Sequence, residues 1–259
     1  MVYLEDNENR EIKTTDIILD NLKVEQKITI GHLTYHAGRL WNQANFYLKN
    51  NPALGNSLSH LCNKLRDSIH FKSLPINVAK RILKEVIEDA DLRGKVWFIN
   101  PKFPHKEVIL GQKEFKVDKN NIKIHIPDHL KNYLSERFGI SCQYLLIDIS
   151  AVDINPNHDI KKPDDILIKI GTVIVPDRGV CHKLTIIRVF NKITVGSTVI
   201  LYELKEKKRY KYKIVGKFSS NPEKGEISEV SPLGKELIGK KKGDIVRHGK
   251  FKYLVKKVT

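Results

Sequence analysis

Long apolar runs are missing from this chain. Nowhere in its 259 residues do 18 or more apolar residues follow one another, which excludes a membrane-spanning helix and leaves no membrane partner to expect. The opening stretch "MVYLEDNENRE" is acidic and has no apolar core, so it lacks the make-up of a secretion signal. Cysteine is scarce and odd in number. Cys62, Cys142 and Cys181 lie far apart and form neither a disulfide framework nor a C-x-x-C metal pair, which fits a reduced, cytoplasmic protein. No phosphate-binding glycine loop, dinucleotide fingerprint or Ser-His-Asp order is present, so no cofactor is implied.

Negative charge is also in short supply. Lys and Arg number 46 against 30 Asp and Glu, a formal charge of +16. The imbalance is steepest from Val195 onward, with 17 Lys and Arg against 7 Asp and Glu. Such a surplus favours a polyanionic partner, because neutralising phosphates releases condensed counterions. A lysine-rich proteome produces solvated basic faces by itself, so charge names RNA, DNA or a nucleoprotein surface only as a class.

What is present divides into two parts. At helical spacing, Leu33, Ala37, Leu40, Trp41, Ala44, Tyr47 and Leu48 predict an amphipathic helix from Thr29 to Lys49, whose other face carries His32, His36, Arg39, Asn42 and Asn45. Asn50-Asn51-Pro52 ends it. A second helix carries Leu58, Leu61, Cys62, Leu65 and Ile69. The third runs from Pro75 to Leu92 and stops at Gly94. The period then changes to two: Phe115 and Val117, a turn at Asp118 to Asn121, and Ile122, Ile124 and Ile126 predict a hairpin. A short helix capped by Asp128 closes at Gly139, and strands follow at Tyr144 to Ile149, Ile166 to Val175 and Leu184 to Phe190, with the polar linker "DINPNHDIKKPDD" between two of them.

The last part is the most specific. "VGSTVILYEL", "YKIVG", "NPEKGEIS", "SPLGKELIGKKKGD" and "FKYLVKKV" follow in that order. Val199 and Leu201 alternate inward, Tyr210 to Val215 is a second strand, and Ser231-Pro232 opens a helix that Gly239 closes. This order of blocks resembles the C-terminal domain of the Gre family of transcript-cleavage and elongation factors (GreA and GreB). The resemblance implies an FKBP-like β-sheet domain docking on bacterial RNA polymerase beside the secondary channel, with Ser231, Pro232, Leu233, Gly234, Leu237 and Gly239 at the helix opening and turn near which Gre domains dock. Gre factors deliver acidic residues on the tip of a long N-terminal coiled coil. Residues 1–190 show no sustained heptads, and Glu5-Asp6-Asn7-Glu8 sits in a polar tail, so transcript cleavage is not expected.

A second resemblance covers residues 30–127. "YHAGRLWNQANFYLKN", "LPINVAKRILKEVIEDADL" and "VDKNNIKIHIP" are similar to the N-terminal region of TnpB-type proteins, the transposon-encoded RNA-guided nucleases, which implies a helical and β-barrel module gripping guide RNA and target DNA. The nuclease half of that family needs three carboxylates on one sheet to hold metal. Only "YLLIDIS" around Asp148 resembles its first strand, and no later acidic motif follows. Asp148 therefore reads as a strand residue rather than a catalytic one.

Candidate contact residues follow from type and place. Arg39 with Asn42 and Asn45 on adjacent turns can touch phosphates and base or sugar edges, although the same pattern describes an ordinary polar helix face. Lys80, Arg81 and Lys84 add charge on the third helix. Lys240, Lys241 and Lys242 form a concentrated positive loop, structural first and a polyanion contact second. His32 and His36 have zinc-compatible spacing but no intervening Glu, and read as hydrogen-bonded or solvated histidines.

The expected architecture is α+β: a polar tail over 1–25, a helical and β-hairpin nucleic-acid-binding region over 26–139, a β-rich bridge over 140–190, and an FKBP-like β+α domain of Gre type over 191–259. The expected function is a non-catalytic transcription elongation regulator, with no metal site. Its partners would be bacterial RNA polymerase, through the C-terminal domain, and RNA or DNA, through the basic N-terminal region. Two alternatives are a degenerate TnpB-like protein without its nuclease half, and an FKBP-like prolyl isomerase. The second is disfavoured because fold alone does not confer function.

Overall fold

The computed structural model describes residues 10–51, 57–118, 120–150, 165–217 and 219–259. The acidic cluster at Glu5 to Glu8, the helix stop at Pro52 and the linker aspartates Asp153, Asp159 and Asp164 lie outside the described residues. The chain divides into two compact units: residues 15–154 with 167–186, and residues 1–14 with 155–166 and 187–259.

In the larger unit, helix α1 (Val24–Asn50) runs 27 residues, longer at its start than its apolar spacing indicates. Gln26 extends it, because its side-chain oxygen accepts the Lys23 backbone N–H at 2.7 Å and satisfies a donor the first turn leaves over. At the far end Asn50 and Asn51 turn their side-chain amides back onto the carbonyls of Phe46 and Tyr47.

The predicted second helix is two pieces, α2 (Leu58–Leu65) and α3 (Ile69–Lys72). Ser68 divides them: its hydroxyl accepts the Phe71 N–H at 3.2 Å and starts a new helix. α4 (Ile76–Arg93) ends at Gly94 with φ of +62°, a conformation open to glycine. Its stripe of Val78, Ala79, Ile82, Leu83, Val86 and Ile87 is buried, and each of the larger aliphatics contributes roughly 2 kcal/mol by leaving water. α1 packs on α3 and α4, and α2 packs on α4.

Strands β3 (Phe115–Asp118), β4 (Asn121–His125) and β5 (Tyr144–Asp148) form an antiparallel sheet in that order, with α5 (Asp128–Phe138) between the last two. Their alternation is what the sequence shows: Ile122, Ile124, Leu145 and Ile147 are buried and their neighbours are not. A second sheet has the order β1-β7-β6-β2, from β1 (Arg10–Ile18), β2 (Val108–Leu110), β6 (Asp165–Val175) and β7 (Gly179–Asn191). β1 replaces much of the expected polar tail. Its sequence, REIKTTDII, carries too few apolar residues to announce a strand, and partners across the sheet specify it instead.

The smaller unit contains a five-stranded sheet in the order β10-β9-β8-β12-β11. Its strands are β8 (Thr198–Glu203), β9 (Arg209–Val215), β10 (Glu226–Ser228), β11 (Ile245–His248) and β12 (Phe251–Val258). All neighbours are antiparallel except β9 and β10. Asn221 and Gly225 make that parallel return possible: the Asn221 side chain accepts the Lys224 N–H, and Gly225 adopts φ of +69°. Ile193, Val199, Leu201, Ile214, Leu237, Val246, Val255 and Val258 form one buried cluster, closed by the short helix α6 (Pro232–Leu237).

Candidate docking surface and nucleic-acid contacts

The residues around α6 divide sharply by burial. Ser231 caps the helix, its hydroxyl accepting the Gly234 N–H at 3.0 Å and donating to the Ser228 carbonyl at 2.7 Å. Pro232 follows in the first turn, where its missing N–H costs nothing. Gly234 is buried so tightly that a Cβ there would stand 2.0 Å from the Ser228 carbonyl oxygen. Leu237 is fully buried in the apolar cluster, which corrects its sequence assignment as a contact residue. Leu233 is half-buried against the same cluster. Gly239 turns the chain with φ of +76° and donates to the Ile193 carbonyl at 2.8 Å. What this region presents to solvent is Pro232, Lys235, Glu236 and the apolar Val230 and Ile238.

The lysine loop divides likewise. Lys240 is exposed, Lys242 is half-buried, and Lys241 is turned inward with both oxygens of Glu11 at 2.7 Å. The Asp244 side chain accepts the Lys241 N–H at 3.0 Å and fixes the turn. The expected positive loop is therefore smaller by one charge.

In the larger unit, α1 is buried on more sides than an amphipathic stripe allows. Gly38 explains how the chain crosses it so closely: a Cβ would fall 1.8 Å from the Pro104 carbonyl oxygen. Asn45 is buried and donates to the Trp41 carbonyl at 3.1 Å, so it presents nothing to a ligand. Asn42 is also engaged. Its amide donates to the Ile99 carbonyl at 2.9 Å and accepts the Ile99 N–H at 2.7 Å, gripping the chain as a neighbouring strand would.

Arg39 is exposed and lines a cavity of about 370 Å³ with Asn42, Gln43, Phe46, His70, Phe98 and Pro101. Phe46 and Phe98 are exposed, and the Gln43 Oε1 is buried without a hydrogen-bond partner. On α4, Lys80 is exposed. Arg81 donates to the Ile109 carbonyl and lies 3.8 Å from Glu114, and Lys84 lies 3.4 Å from Glu88.

His36, expected on a polar face, is buried. Its Nδ1 meets the His70 Nδ1 at 2.9 Å, so one ring donates and the other accepts. Burial, then the nearby rings of His70, His32 and His129, pushes the His36 pKa down to about 3. Burial, then the Arg39 charge, pushes His70 down to about 4. Among the described residues no group of three or more His, Cys, Asp or Glu side chains is placed to hold a metal ion. Asp148 is exposed at the end of β5, and its oxygen accepts the Ser150 N–H at 2.8 Å.

The blocks from Val195 to Val258 thus form one closed sheet-and-helix unit, and comparison with known proteins places it. Residues 188–259 match the family model for the C-terminal domain of the transcription elongation factors GreA/GreB. GreA of Helicobacter pylori (strain Shi470) is 50% identical to the chain over 56 residues, 22% of this chain and 34% of that protein. GreA of a Nitratiruptor species is 48% identical over 54 residues, 21% and 33% respectively. The chain therefore spans about a third of the length of the curated relatives it matches. Among solved structures, GreA factor homolog 1 (Gfh1) of Thermus thermophilus is 26% identical with a TM-score of 0.26, covering 27% of this chain and 49% of that one. Gfh1 of Thermus aquaticus is 28% identical with a TM-score of 0.22, covering 26% and 46%. Among the described residues no helix is long and apolar enough to cross a membrane.

Proposed function

We propose that this protein is a non-catalytic regulator of transcription elongation that docks on bacterial RNA polymerase through its Gre-type domain and touches RNA or DNA through its larger unit. The observation that carries the docking half is the match of residues 188–259 to the GreA/GreB C-terminal family. The contacts are assigned to Pro232, Lys235 and Ile238 with Val230, which are exposed around α6. Ser231, Leu233, Gly234, Leu237 and Gly239 hold that surface in place. Neither an FKBP-like proline pocket nor a nuclease site enters this reading.

The nucleic-acid half rests on the cavity beside Arg39. Two exposed phenyl rings and a guanidinium suit an unstacked base with its phosphate. The TnpB-like resemblance of residues 30–127 enters only as this contact.

Binding of the full chain to core RNA polymerase in a pull-down tests the docking. The wild type is retained, and Ile238→Asp with Lys235→Glu loses retention while the circular-dichroism spectrum is unchanged. Retention at wild-type strength overturns the docking site. On a backtracked complex, excess protein reduces cleavage stimulated by an authentic Gre factor, and alone with magnesium it cuts neither the RNA nor DNA.

A further inference from the structure

The five-stranded sheet of the Gre-type domain has one face on its apolar core and one face away from it, and strand register states which residues share the outer face. Val199 opposes Tyr212, Leu201 opposes Tyr210 and Val255, and all of these face the core. Side chains alternate along a strand, so the intervening residues point outward. On β9 these are Arg209, Lys211 and Lys213, paired respectively with Tyr202, Ile200 and Thr198 of β8. On β12, Lys257 pairs with Ile200 on that strand's other side, and the register shift beside it places Lys256 with its ammonium 5.4 Å from the Tyr202 ring centre. Lys252 stands opposite Arg247 of β11 on the same face. All seven cations are exposed. Glu226 of β10, opposite Lys213, is the carboxylate that the register brings to this face.

The density of unpaired cations on one sheet face, and their direct opposition, set this face apart. Several cations elsewhere are matched: Lys106 with Glu85, Lys169 with Glu107, Lys183 with Asp16 and Lys241 with Glu11 all lie within 2.9 Å. Among the described residues no ion pair joins Arg209, Lys211, Lys213, Arg247, Lys252, Lys256 or Lys257 to a carboxylate. Arg247 and Lys252 also stand directly opposite each other, and like charges in that position destabilise a sheet. The fold thus holds a self-repelling surface that a polyanion would relieve. The β9 cations repeat about every 7 Å along an extended line.

We propose that this outer sheet face is a binding surface for the phosphate backbone of nucleic acid, with Tyr202 at its centre available to a base. It goes beyond the reading given above, which places nucleic-acid contact in the larger unit, and it does not depend on polymerase docking. An open face with ammonium and guanidinium donors and no cleft reads charge rather than sequence, so binding is nonspecific and falls steeply with salt.

The test is fluorescence anisotropy of the full-length protein with labelled single-stranded RNA, single-stranded DNA and duplex DNA across a salt series. Replacing Lys211, Lys213 and Lys257 together with Gln flattens the log-affinity against log-salt plot by about 2 on single strands, from about 0.7 per phosphate contact. It also weakens binding about ten-fold or more at low salt. A control removes the same charge from the other unit, Lys49, Lys64 and Lys102 to Gln, and changes the slope little. Equal flattening in both variants means net charge alone acts and overturns the proposal. If Arg39→Gln with Lys80→Gln abolishes binding while the sheet variant keeps wild-type affinity, the contact lies in the larger unit and the sheet face is excluded. Binding of vesicles containing anionic lipid with none to any oligonucleotide overturns the proposal too. Polymerase pull-down of the sheet variant separates this result from docking, since retention there stays at the wild-type level.

Discussion

The ammonium of Lys241 lies 2.7 Å from each carboxylate oxygen of Glu11, 230 residues earlier in the chain. The same ammonium stands 4.8 Å from the centre of the Phe190 ring. The middle residue of a three-lysine loop is thus an internal fastening. Replacing it with Met leaves the Glu11 carboxylate without its principal partner and should cost about 2 kcal/mol, read as a lower urea midpoint. The hydrogen bond from Lys241 holds the Glu11 pKa below its usual 4.5. Its contribution is therefore complete above pH 4.5 and fades as pH falls through the lower folded value. An unchanged midpoint for Lys241→Met would show that the pair contributes nothing.

Gly234→Ala should destabilise the smaller unit by about 3 kcal/mol, since the new methyl would collide with the Ser228 carbonyl and force helix α6 off the sheet. Leu237→Ala leaves a cavity and should cost about 3 kcal/mol. Ile238→Asp, one residue on and exposed, should leave the denaturation curve within about 0.5 kcal/mol of wild type. Equal losses at 237 and 238 would contradict the division between support and surface.

Acid should weaken the larger unit before carboxylates titrate. His36 and His70 are held neutral, with folded pKa values of about 3 and about 4 against 6.5 when unfolded. The unfolded chain binds more protons between those limits, so stability is full above pH 6.5 and declines as pH falls toward 3. Full protonation of both rings would also set two N–H groups face to face across 2.9 Å. Denaturation midpoints measured from pH 7.5 to 5 should fall for the wild type and fall less for His70→Gln. A flat wild-type profile over that range removes the argument.

Arg39→Gln should reduce the salt slope of single-strand binding by about 0.7 if its guanidinium meets a phosphate. Asn45→Ala, by contrast, should leave the slope unchanged, because that amide is committed to the Trp41 carbonyl. A slope change at 45 without a fall in stability would reverse the assignment.

The sequence made some of this legible and hid the rest for physical reasons. Period two at Ile122 and Ile124, and at Val199 and Leu201, marked half-buried strands because one face of each sheet is apolar. Gly94 and Gly139 marked helix ends because the chain turns left-handed there. β1 was not legible, since REIKTTDII gains strand character only from its sheet partner. Helix α1 misled at Asn45 and His36: periodicity separates apolar from polar but does not tell a solvated polar residue from one hydrogen-bonded inside. Residue type likewise marked Lys241 as a contact, and only the arrival of Glu11 from afar made it internal. The basic sheet face was open to discovery in the spacing of Arg209, Lys211 and Lys213, once the inward set on β9 had been fixed by Ile214.

Strand β12 lies between β8 and β11, so β11 joins the ribbon of β8, β9 and β10 only through β12. On the ribosome, β8 therefore keeps one unpaired edge until Phe251 to Val258 have been made. A truncation within Phe251 to Val258 would leave that edge open for good, a template on which another chain could pair.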